Sequence, residues 1–303
     1  MTLQSNTCFP REGKSQVGGA SVESTLLSFD FFGVEVEIAT TDPGSRDLLL
    51  GDFDFFETRR KNPALRYVVS KTGDGSFRIV RDTQTFLLAS DDGDFLFQVE
   101  KEITIEIQKR RPDLYFLHAA VLDYKGLGLL LVANSGGGKS TTTWALLHHG
   151  FRYLSDELAP VNLKTLEVLP YSHALNLKRH PPSPYGLPDQ VIQTSRTVHV
   201  PASALLGGTE HDPTRLAAIF FVSYQPDLKS PLATPISRTE AAARLFANAL
   251  NPLAHPGEGL DGVLEIAARC SSFELVTNEL AQTCAVVKQT MESSVERSEL
   301  TAC

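Results

Sequence analysis

The chain has 303 residues, 42% of them hydrophobic and 21% charged, the balance of a globular protein long enough for one large domain or two ordinary ones. Its 36 acidic residues outnumber 28 basic ones, and a net charge of −8 argues against non-specific binding to nucleic acid or to an anionic membrane. No apolar stretch approaches the ~18 residues of a membrane span, no basic-then-apolar signal segment opens the chain, and Cys8, Cys270, Cys284 and Cys303 form no CxxC pair, so a cytoplasmic, reducing setting without structural zinc is expected.

Residues 1 to 25 are rich in Ser, Thr, Gly and Gln without periodicity and read as a disordered leader. Order is expected from Leu26. Leu27 to Phe31, Val34 to Ile38, Tyr67 to Ser70, Phe77 to Val80, Thr85 to Leu88 and Phe95 to Val99 alternate or cluster apolar and β-branched residues between turns such as Gly73-Asp74-Gly75 and Asp91-Asp92-Gly93. They predict a mostly antiparallel β region over 26–112. Glu100 to Lys109 fits a strand through the alternation of Ile103, Ile105 and Ile107, or a helix leading into Arg110-Arg111-Pro112.

Phe116 to Leu122 and Leu127 to Val132 read as two strands joined by a turn at Asp123 to Gly126, with His118 in the first. The second runs into Ala133-Asn134-Ser135-Gly136-Gly137-Gly138-Lys139-Ser140, a Walker A pattern with Ala in place of the first Gly, followed by a helix-like stretch from Thr141 to His149 closed by Gly150. Strand, Gly-rich loop and helix in that order suit a nucleotide's phosphate tail. The glycines let backbone N–H groups turn inward around phosphate oxygens, Lys139 offers a point charge to the β- and γ-phosphates, and the Ser140 hydroxyl can bind Mg²⁺. The next strand, Tyr153-Leu154, leads to Asp156-Glu157, and strand C-terminal ends in an open parallel sheet face the same crevice as the loop. One acid there could hold the metal and one could take a hydroxyl proton.

Further on, Val161 to Leu163 and Leu166 to Leu169 suggest a hairpin, Lys178 to Asp189 a proline-rich loop carrying Arg179 and His180, and Ala217 to Val222 a strand. Ser237-Arg238-Thr239-Glu240 is a capping box opening a helix through Leu250. Leu280, Cys284, Val287 and Met291 line one face of a C-terminal helix.

His118-Ala119-Ala120-Val121-Leu122-Asp123, Gly126-Leu127-Gly128, the loop 133–140 and Gly150-Phe151-Arg152-Tyr153-Leu154-Ser155-Asp156-Glu157 together resemble the core of the HPr kinase/phosphorylase family, itself related in fold to phosphoenolpyruvate carboxykinase. The resemblance implies an α/β P-loop kinase domain over 113–303. It implies a nucleotide site of residues 133–140 with Thr141, Mg²⁺ on Ser140 and Asp156, and catalytic roles for His118, Lys139, Asp156 and Glu157. The family has Asp where this chain has Glu157, so either acid of the pair could be the base. Arg215, Lys229 and Arg179 are candidates for the cation that steadies the transferring phosphate. The N-terminal β region is unlike that of the sugar-uptake regulators and points to divergent members, including kinases that phosphorylate a serine of lasso peptides. The expectation is an ATP- and Mg²⁺-dependent kinase acting on a serine of a peptide or small protein. A kinase for free serine or a similar small hydroxyl compound and a non-catalytic nucleotide switch are the alternatives, and whether the chain forms a homo-oligomer is left open.

Overall fold

The computed structural model describes residues 24–60, 62–81 and 84–302; residues 1–23 of the expected leader, with Cys8, and also Cys303 lie outside the described residues. The fold is mixed α/β. Strands β1 (Thr25–Phe31) and β2 (Val34–Thr40) form an antiparallel hairpin, and α1 (Pro43–Phe53) carries the chain back so that β3 (Leu65–Lys71) lies parallel to β2. β4 (Phe77–Arg81) and β5 (Gln84–Ala89) extend the sheet antiparallel in the order β1-β2-β3-β4-β5, mostly antiparallel as the alternation predicts. Phe29, Phe31, Val36 and Ile38 point inward at period two and share one core with Leu49 and Phe53 of α1.

Two helices stand where the sequence reading has none or misplaces one. α1 has no counterpart among the elements expected from the sequence, although Asp42 caps it by accepting from Ser45 N at 2.9 Å and Pro43 opens its first turn. α2 (Asp92–Arg110) replaces the strand expected at Phe95 to Val99 and settles Glu100 to Lys109 as helix. Asp91 caps it, accepting from Asp94 N at 2.8 Å. The alternation that suggested a strand is incidental, because Phe97 and Ile105 are exposed while Phe95, Leu96, Val99, Ile103 and Ile107 are buried at helical spacing.

The rest of the chain is built on a second sheet. After β6 (Tyr115–Leu117), β7 (Ala120–Tyr124) and β8 (Leu127–Val132) come α3 (Lys139–Leu147), β9 (Arg152–Ser155), β10 (Ala159–Asn162) and β11 (Glu167–Val168), the last two forming the expected hairpin. β12 (Leu175–Leu177), β13 (Ile192–Gln193) and β14 (Val198–Val200) make a small separate sheet, and the prolines between Lys178 and Asp189 lie in loop as expected. β15 (Thr214–Tyr224), β16 (Leu232–Pro235), α4 (Arg238–Phe246), α5 (Leu260–Arg269), β17 (Ser271–Thr277) and α6 (Leu280–Ala302) complete the chain. The large sheet runs β6-β10-β11-β15-β8-β7-β9, with β17 beside β15 and β16 beyond β17.

At its centre β8, β15 and β17 are parallel, and helices cover both faces. Leu129 and Leu131 of β8 pack with α3 and α6, through Trp144, Leu146, Cys284, Val287 and Met291, while Leu130 and Val132 pack with Ala241, Leu245, Val263 and Ile266 of α4 and α5. Burial on both faces is why β8 reads as an unbroken apolar run. α4 is capped by Ser237, which accepts from Glu240 N at 3.2 Å, but it stops at Phe246 instead of reaching Leu250. Residues beyond it bond to the β6 edge: Asn248 O accepts from His118 N at 2.8 Å and Leu250 N donates to Phe116 O at 2.9 Å.

Trp144 is fully buried, and its indole N–H donates to Tyr185 O at 3.0 Å, tying α3 to the proline-rich loop. Trp144→Ala should therefore cost about 3 kcal/mol or more, from the cavity and the orphaned carbonyl together. Urea unfolding followed by circular dichroism measures it, and a loss under ~1 kcal/mol, no more than a surface change costs, would contradict this packing.

Candidate active site

The loop from Ala133 to Gly138 leaves the C-terminal end of β8 and turns into α3 with Gly136 at φ +83° and Gly138 at φ +95°, conformations that L side chains resist. The methyl of Ala133, the departure from the strict pattern, is accommodated by a neighbouring glycine: a Cβ on Gly137 would come 3.2 Å from the Ala133 Cβ and 3.0 Å from Asn134 O. The first bond of the helix is Thr142 N to Gly138 O at 2.9 Å, so the N–H groups of Lys139, Ser140 and Thr141 precede the helix's own ladder. They sit at its positive end.

The register of the sheet brings the acids and the histidine together. β7 pairs with β9, Val121 opposite Ser155, whereas β6 pairs with β10, Leu117 opposite Ala159. Both chains break between those pairings, one at His118-Ala119 and the other at Asp156 to Leu158, so the two breaks face each other. The Ser155 hydroxyl accepts from Leu158 N at 3.1 Å and holds the acid-bearing turn. His118 Nε2 then lies 2.7 Å from Glu157 Oε2. Lys139, the first residue of α3, reaches down to the same turn. Its ammonium donates to Asp156 O and lies 3.3 Å from both Asp156 Oδ1 and Glu157 Oε1.

The two carboxyls have different surroundings. Asp156 is fully buried, with Oδ2 lacking a hydrogen-bond partner, and burial is the main cause that raises its pKa above the ordinary carboxyl range. The Glu157 charge adds to that rise, against the pull of Lys139 and Ser140. Glu157 keeps 44% of its side chain exposed. Burial works to raise it too, but the His118 hydrogen bond and the charges of Lys139, His118 and His173 outweigh burial and hold it at about 2. Lys139 is 8% exposed; burial disfavours its charge, yet the two carboxylates keep its pKa above the ordinary value.

Of the residues expected from the sequence, His118, Lys139, Asp156 and Glu157 thus form one cluster, with Ser140 on the same helix turn. Ala133, Asn134, Ser135, Gly136, Gly137, Gly138 and Thr141 form the loop and first helical turn beside it. Arg215 does not belong: it stands opposite Glu167 in the β11–β15 ladder near the start of β15, at the end of the sheet away from the loop. Lys229 follows the C-terminal end of β15 on the loop's side and is exposed, as is Arg179. Two further residues join the cluster. Lys178, next to Arg179, donates to the Ser135 hydroxyl at 2.9 Å. His173 is buried within the electrostatic reach of Glu157 and Lys139, its Nδ1 without a partner. No local motif marks either; only the return of the chain past the acid turn brings them in.

No protein-family model matches the chain, and no curated protein matches it. Among solved structures, that of the Hpr(Ser) kinase/phosphatase from Coxiella burnetii is similar at 13% identity, over 59% of this chain and 97% of that one, with a TM-score of 0.31. So distant a likeness carries no argument about activity, and the chemistry rests on the cluster itself.

Burial, aided by His199 and Lys139 and opposed by Glu157, pushes the His173 imidazole down to about 4. Between its unfolded value of ~6.5 and about 4 the unfolded chain holds a proton that the folded chain lacks. Stability tied to His173 is therefore complete above the upper value and is lost as pH falls through this window. Urea melts of the wild type and His173→Asn at neutral pH and near pH ~4.5 should show the wild type losing on the order of 2 kcal/mol relative to the variant. Parallel losses would place His173 in solvent.

Proposed function

We propose that the chain is an ATP-dependent kinase that transfers the γ-phosphoryl group to a hydroxyl, with a serine of a peptide or small protein as acceptor. The observation that carries this reading is the meeting of Lys139, at the head of a Gly-loop helix, with Asp156, Glu157 and His118. The loop N–H groups, the positive end of α3 and the Lys139 ammonium would hold the β- and γ-phosphates, with Lys178 reaching the loop from outside through Ser135. Asp156 and Ser140 would hold Mg²⁺. The buried, unpartnered Asp156 Oδ2 fits that task, and the ion would supply neutralisation of charge on the phosphates.

Glu157 then serves the acceptor. It is the more exposed acid, and with its carboxyl held at about 2 it stays ionised across the physiological range. It orients the hydroxyl as a hydrogen-bond acceptor and receives the proton late, when bond formation has made that proton acidic. The loose transition state of phosphoryl transfer asks no more of a base. His118 fixes the direction of the carboxylate through its 2.7 Å contact. Both side chains are more than a third exposed, which favours an acceptor as large as a peptide over a small molecule enclosed in a cavity.

Lys139→Ala should lower phosphoryl transfer by roughly a thousandfold. Asp156→Asn should weaken metal-dependent nucleotide binding, whereas Glu157→Gln should leave nucleotide affinity nearly intact and lower turnover by roughly a hundredfold or more. Calorimetric titration with ATP and Mg²⁺, beside transfer of labelled phosphate to serine-containing peptides, separates these effects. Unchanged turnover in both acid variants would overturn the catalytic assignment. Tight ATP binding without transfer to any hydroxyl compound would favour the switch.

A further inference from the structure

Where the N-terminal layer meets the small sheet, Asp52 in the last turn of α1, Glu100 in α2 and His199 on β14 converge. His199 Nδ1 lies 3.1 Å from Asp52 Oδ1 and 3.9 Å from Glu100 Oε1, and one donor atom from each residue lies within 4.8 Å of the other two. Asp52 is fully buried and His199 nearly so. On the far side of the imidazole, Nε2 lies 2.8 Å from the Thr197 hydroxyl. In the tautomer that donates the Nε2 proton to Thr197, the one a bound cation would select over an Nδ1–H hydrogen bond to Asp52, Nδ1 turns a lone pair toward the two carboxyls, and a hydrogen-bond partner on the other ring nitrogen is the usual support of a metal-ligating histidine.

Two oxygens at this place lack donors. Asp52 Oδ2 and Asn176 Oδ1 are both shut off from solvent without a hydrogen-bond partner, while Asn176 Nδ2 is already committed to Glu100 Oε1 at 3.0 Å. Donors bound to a Zn²⁺-sized cation at ~2.1 Å stand roughly 3.0–3.4 Å apart, a spacing that His199 and Asp52 already meet and that Glu100 exceeds slightly. We propose that Asp52, Glu100 and His199 bind a divalent cation, with Asn176 Oδ1 as a further oxygen donor. Two carboxylates and one imidazole suit Zn²⁺ or Mn²⁺, and they are a donor set separate from the loop and its acid pair.

The ion would fasten α1 and α2 to β14, three elements distant in the chain. Its effect would extend toward the catalytic cluster, because Ala174 N donates to Asp52 O at 2.8 Å immediately after His173. The site does not depend on the kinase reading. In the test, wild type and Asp156→Asn are stripped with a chelator, supplied with Zn²⁺ or Mn²⁺ without nucleotide, desalted and assayed for metal by mass spectrometry. One ion per chain is expected in both, with a melting temperature raised by about 5 °C, and no retained ion in Glu100→Gln or His199→Gln. A wild type that retains neither metal, or a folded variant that retains it fully, overturns the site. Should the variants fail to fold, anomalous scattering from Zn²⁺-loaded crystals decides: an ion on Asp52 and His199 supports the proposal, and an ion elsewhere defeats it.

Discussion

One buried ammonium organises the candidate site. Lys139 is almost withdrawn from water at the head of α3, and a cation so placed needs anions close by. Asp156 and Glu157 supply them from a turn on the other side of β7. The same contact joins the Gly-rich loop to the acid pair, sets one carboxyl in the interior and the other at the surface, and leaves His118 to complete the outer one. Removing Lys139 would leave two adjacent carboxylates without their cation.

That contact depends on the sheet beneath it. β8 and β9 run in the same direction with β7 between them, antiparallel to both, so the ends of both strands that matter open on one side. The helices on both faces of β8 and β15 make this frame stiff, and the loop lies against the end of β15, where a Cβ on Gly137 would stand 3.4 Å from Val222 O. The N-terminal layer is more than an appendage to this frame, since Asp52 and Glu100 enter the interior beside the segment carrying His173.

Legibility in the sequence followed distance along the chain. The loop and the acid pair could be read because their chemistry needs neighbouring residues in fixed order: positive-φ glycines, a lysine at the first helical position, carboxylates after a strand. His118 stands out in the sequence by its place beside the loop strand, but only a family resemblance favours a role over a packed core histidine, because its partner is chosen by the register of Leu117 against Ala159. His173 and Lys178 carried no local signal at all. Arg215 looked equivalent to Lys229 as a cation, and only the parallel pairing of β15 with β8 puts it at the wrong end. In α2 two periodicities coexist, and exposure of Phe97 and Ile105 decides between them. The small sheet leaves no pattern in the sequence since strands of two or three residues are too short to alternate, and Asp52 meets His199 across 147 positions.

In the proposed reading the loop and Lys139 recognise a chain of phosphates. Calorimetric titration of the wild type with ATP, ADP and AMP, each with Mg²⁺, tests it most directly. One ATP or ADP should bind per chain and AMP at least roughly a hundredfold more weakly, because in the proposed reading the contacts of Lys139 and the loop N–H groups would fall on the β- and γ-phosphates. Equal affinity for AMP, or no binding of ATP, would contradict it.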